Sequence, residues 1–114
     1  RNHAAFWDGA SLRLTPAYDI CPQSRNGREA TQAMLIAGRE RRSQLSHCIA
    51  AAGQFLLGEA EATDLIRQQV ATIRAEWQAT CDAAGLSQTD RALFWERQFL
   101  NAYAFEGRPD LAGA

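Results

Sequence analysis

Apolar and polar positions change rhythm along this chain. In the opening residues the period is two: "HAAFW" and "SLRLT" are short strand-like runs, and Leu12 and Leu14 alternate with Ser11, Arg13 and Thr15. Such alternation gives a strand one buried face and one wet face. The intervening "DGA" carries the Asp-Gly turn signal. The first nineteen residues therefore predict a β-hairpin, and Pro16, which has no N–H to donate, ends its pairing. Residues 21–29, "CPQSRNGRE", show no period and read as a loop. "ATQAMLIAG" fits either a short strand or the start of a helix, and Gly38 then breaks the run before "RERR".

From Ser43 onward the period becomes three to four. Leu45, Cys48, Ile49, Ala52, Phe55 and Leu56 form the stripe of an amphipathic helix, with Ser43 as its N-cap and Gly58 as its punctuation. A longer helix is predicted over roughly 59–84, striped by Leu65 or Ile66, Val70, Ile73, Trp77 and Cys81, with Gly85 as its stop. "SQTD" at 87–90 has the form of a capping box. A last helix follows, dense in apolar residues from Leu93 through Trp95, Phe99 and Tyr103 to Phe105. "EGRPDLAGA" closes the chain as a frayed tail. The predicted architecture is mainly α: a short N-terminal β-hairpin packed on an α-helical bundle, with residues 1–107 as the domain and 108–114 as a flexible tail.

Composition narrows the picture only a little. At 114 residues, with 46% hydrophobic and 22% charged residues, the chain fits one folded domain. Twelve basic against thirteen acidic side chains remove the electrostatic surplus that a general nucleic-acid binder needs. Arg39, Arg41 and Arg42, with Arg25 and Arg28 before them, read as a solvated turn, a phosphate or DNA contact being the lesser reading. Cys21, Cys48 and Cys81 form no C-x-x-C pair, and His3 and His47 complete no zinc pattern. Reduced thiols point to the cytoplasm, and no apolar stretch is long enough to span a bilayer. The start at Arg1-Asn2, without Met and running at once into "AAFW", reads as a cut inside a folded protein.

Candidate chemistry lies at the two ends of the hairpin. Asp19, behind Pro16, Ala17 and Tyr18, would alone be a turn cap, and Asn2 alone a loop residue. A hairpin that leaves just after one and returns just before the other brings an amide and a carboxylate within reach of one ion. Both supply hard oxygen donors of the kind Mg²⁺ takes, leaving its other positions to phosphate and water. An Asn, a hairpin and then an Asp is also the order of the protein-kinase metal site, where a catalytic Asp precedes the Asn by five residues. Here that position falls ahead of Arg1.

"RNHAAFWDGASLRLTPAYDI" resembles the catalytic-loop end, hairpin and metal segment of the HipA family of bacterial serine/threonine kinases, in which "PAYD" stands where other kinases have Asp-Phe-Gly. "CIAAAGQFLL", "AGLS" and "FLNAYAFEG" are similar to that family's helical C-terminal lobe, extending the resemblance to about residue 107. The resemblance implies that Asn2 and Asp19 hold Mg²⁺ against ATP in the intact parent protein, with no tight binding by this chain. It also implies a protein substrate, a toxin–antitoxin setting with a HipB-like antitoxin, and DNA met only through that antitoxin. No membrane partner is expected. Tyr18 would pack beneath the metal loop. The upstream lobe and catalytic Asp being missing, the chain itself would be inactive and, with apolar hairpin residues uncovered, would self-associate. A non-catalytic helical interaction module, suggested by the apolar "LFWERQFLNAYAF", is the alternative.

Overall fold

The structure, a computed structural model, describes residues 2–20 and 26–113. Cys21 and Arg25 lie outside the described residues. Strands β1 (Ala5–Trp7) and β2 (Leu12–Leu14) form an antiparallel hairpin, followed by helices α1 (Leu45–Ala51), α2 (Glu59–Ala83) and α3 (Gln88–Phe94). The fold is thus mainly α with a small β-hairpin, as its periodicities predict. No helix among the described residues is long and apolar enough to cross a membrane.

The hairpin turn is built by Asp8. Its Oδ1 accepts the amides of Ala10 and Ser11 at 2.9 and 2.8 Å, and its Oδ2 accepts the Ser11 hydroxyl at 2.9 Å. These bonds, those from Ser11 and Ala10 foremost, hold the Asp8 carboxyl below its ordinary range. Gly9 takes a φ of 100°, open to glycine and strained for other residues. Pairing sets Ala5 against Leu14, Phe6 against Arg13 and Trp7 against Leu12. The expected buried face is missing: all six strand residues are exposed. Two strands alone have nothing to bury a face against.

Between hairpin and bundle the 31–42 stretch is neither strand nor helix. Two isolated antiparallel bridges, Thr31 with Arg42 and Ala37 with Glu40, fold it back on itself around Gly38. Ser43 is consumed here, since its amide donates to the Ala30 carbonyl and its hydroxyl accepts from Gln32 Nε2 at 2.9 Å. It therefore does not cap α1. Gln44 takes the N-cap position, makes no side-chain cap bond, and sends its amide to Glu106 Oε2 at 3.1 Å. The helix also ends early. Gly53 weakens the run, residues Ala52–Phe55 tighten into a 3₁₀ turn, and Leu56 adopts a left-handed φ of 60° with 95% of its surface exposed.

Helix α2 matches its prediction almost to the residue. Its end is a Schellman motif: the Leu86 amide bonds the Cys81 carbonyl, the Gly85 amide bonds that of Asp82, and Gly85 is left-handed. Ile66, Val70 and Cys81 are buried, whereas Leu65 and Ile73 are exposed. At α3 the Ser87 hydroxyl accepts from the Asp90 amide, the N-cap half of a capping box, and donates to the Asp90 carboxylate at 2.7 Å.

Beyond Phe94 the predicted last helix breaks. The amides of Arg97, Gln98 and Phe99 converge on the Phe94 carbonyl while Glu96 and Leu100 turn left-handed. Asn101 then ties the chain locally, donating to the Arg97 carbonyl and accepting from the Tyr103 amide, which starts a 3₁₀ turn at Ala102–Phe105. The looped chain carries Trp95 and Phe99 onto Trp77, with ring centroids 5.0 and 4.9 Å away. Tyr103 and Phe105 are buried, whereas Leu93 and Phe99 remain exposed, so only part of "LFWERQFLNAYAF" is the apolar surface expected of it.

The closing segment is not a frayed tail. Pro109–Leu111 forms another 3₁₀ turn, and Leu111 is 0% exposed, packed with Ile49, Ile66, Val70 and Phe105. Arg67 of α2 reaches Asp110 at 3.1 Å, and Arg108 lies 3.6 Å from Glu59. The domain boundary expected at 107 therefore cuts through the core.

Candidate functional site

Pairing alone does not bring Asn2 to Asp19. The strand register sums to 19, and a bond from the Thr15 amide to the Ala4 carbonyl continues it one step. Extended further, it would set Asn2 against Ala17. Two local features close the difference. Pro16 releases the returning chain from the ladder, and Asn2 and Asp19 each adopt left-handed backbone, with φ of 56° and 54°. Asn and Asp are the non-glycine types that tolerate this conformation best. The result is a direct side-chain contact: Asn2 Nδ2 donates to Asp19 Oδ2 at 2.7 Å, across seventeen positions of sequence. Left-handed non-glycine residues cost energy and cluster at functional sites.

The donor set suits a small hard cation. Asn contributes a carbonyl oxygen and Asp a carboxylate, and both side chains are exposed and line a cleft. Adjacent ligands of an octahedral Mg²⁺, each about 2.0–2.1 Å from the ion, lie about 3 Å apart, close to the 2.7 Å that separates the polar atoms here. Half a turn of the Asn2 amide exchanges Nδ2 for Oδ1 and offers two oxygens at that spacing. Among the described residues no group of three or more His, Cys, Asp and Glu could hold a metal. A cation at this pair would thus draw its remaining ligands from phosphate and water.

The cleft behind the pair has a volume of about 940 Å³. Gln32–Ile36 of the bridged loop form one wall, and α1, the turn after it and the first half of α2 form the other. Cys48, exposed at the surface, also lines it. Tyr18 does not pack beneath the loop as expected, being 47% exposed.

The sequence around this pair has a definite kinship. Residues 1–77 match the family described as the HipA-like C-terminal domain. The chain belongs to this family. The match covers both Asn2 and Asp19, the bridged loop, α1 and most of α2. It ends at Trp77, short of the residue 107 to which the motifs suggested the likeness ran, so α3 and the closing turns of this HipA-like domain stand outside it. No curated protein and no solved structure matches the chain.

Sequence reasoning found the pair but not what surrounds it. Glu106 was unremarked, yet it bridges Gln44 at the start of α1 and Arg28 of the preceding loop, at 3.1 and 2.6 Å. Arg42 is likewise held by Glu40 at 2.9 Å, whereas Arg39 and Arg41 stay at the exposed turn. No local pattern announces pairs separated by 62 and 78 positions.

Proposed function

We propose that this HipA-like domain is the metal-holding, C-terminal-lobe part of an ATP- and Mg²⁺-dependent protein serine/threonine kinase of the HipA toxin family. The observation that carries the reading is the 2.7 Å contact between Asn2 and Asp19, made by two left-handed residues at opposite ends of a hairpin. Family membership over residues 1–77 supports it. In this reading Asn2 and Asp19 hold Mg²⁺, which when bound neutralises charge on the β- and γ-phosphates of ATP during transfer. The hairpin acts as a spacer that fixes the distance between the two ligands. A HipB-like antitoxin, with DNA reached through it, a protein substrate and a cytoplasmic, bacterial setting belong to the same proposal.

Manganese tests the site. Titrated into the isotopically labelled chain, Mn²⁺ is expected to broaden the resonances of Asn2 and Asp19 first, and Asp19→Ala to abolish that selectivity. Uniform or absent broadening in the unaltered chain sinks the assignment. Since no residue of these 114 occupies the position five before Asn2, the purified chain is expected to transfer no phosphate from ATP. Radiolabelled product above background would contradict this.

A second reading, a non-catalytic interaction module, has one observation in its favour. Trp7, Leu12 and Leu14 stand exposed on one face of the hairpin, an apolar patch of the kind that marks interfaces. Reading the codons directly upstream of Arg1 discriminates the two: an in-frame Asp three codons ahead of Arg1's own predecessor, five before Asn2, supports the kinase, and a start codon supports the module.

A further inference from the structure

We draw no further inference here: the strongest candidate, the groove between α2 and α3 lined by Arg74, Trp77, Gln88, Arg91 and Trp95, has one of its two guanidinium groups already held by Asp82 at 2.6 Å, and nothing in the structure shows what covers it.

Discussion

Asp110 draws two guanidinium groups onto one carboxylate: Arg108 reaches it at 2.8 and 3.0 Å and Arg67 at 3.1 Å. The bond to Arg108 foremost lowers its pKa from 3.8 to about 2. A carboxyl depressed by folding stabilises the folded chain above its unfolded pKa and ceases to do so as pH falls through the folded one. Its contribution is therefore present above 3.8 and lost on the way down to about 2. Asp110→Asn is expected to flatten the acid-unfolding curve across that window, as followed by helical circular dichroism. An unchanged curve assigns the acid sensitivity elsewhere. This cluster could not be read in the sequence, because Arg67 and Asp110 lie 43 positions apart and nothing local marks the partner. Asn2 and Asp19 were readable despite a separation of 17, because Asp-Gly between alternating runs predicts the fold-back that joins them. Their left-handed backbone was not, since the register from strands alone stops two residues short.

Elements were legible where their caps are local. Gly85 and the Ser87 cap each satisfy backbone groups a few residues away, and α2 and the start of α3 fall where these signals place them. Ser43 misled because its hydroxyl had a better partner in Gln32, made available only by the bridged loop. The run from Leu93 to Phe105 misled because density of apolar residues does not specify a helix. Asn101 and the attraction of Trp95 and Phe99 for Trp77 reshape it into turns. The segment written off as a tail is the clearest case, since one leucine flanked by Pro, Asp and Gly carries no period at all. Leu111→Ala should cost about 2–5 kcal/mol, the range for emptying a filled core site. Thermal unfolding against Leu56→Ala, at the exposed position, checks this: equal melting temperatures would place Leu111 outside the core.

At the scale of the whole molecule the shape is extended. The radius of gyration is 16.1 Å, against about 13 Å for a compact chain of this length, and the long axis spans 50 Å. A 25-residue α2 and a hairpin that buries none of its strand side chains account for the difference. The hairpin leaves Phe6, Trp7, Leu12 and Leu14 in solvent along strand edges with free backbone groups, conditions that favour strand-to-strand association. The chain is expected to self-associate with rising concentration, and Trp7→Ser with Leu14→Ser to reduce this. Light scattering showing a concentration-independent monomer would dismiss the effect.

Leu111 also sets a timetable. The core it completes joins side chains at positions 49, 66, 70 and 105 to one at 111. As the polypeptide leaves the ribosome, α1 and α2 emerge with Ile49, Ile66 and Val70 still open. Synthesis from Val70 to Leu111 takes roughly 2–8 s at bacterial and eukaryotic elongation rates. For those seconds the nascent helices present a sticky stripe to chaperones and proteases, and the last core residue translated is the one that withdraws it.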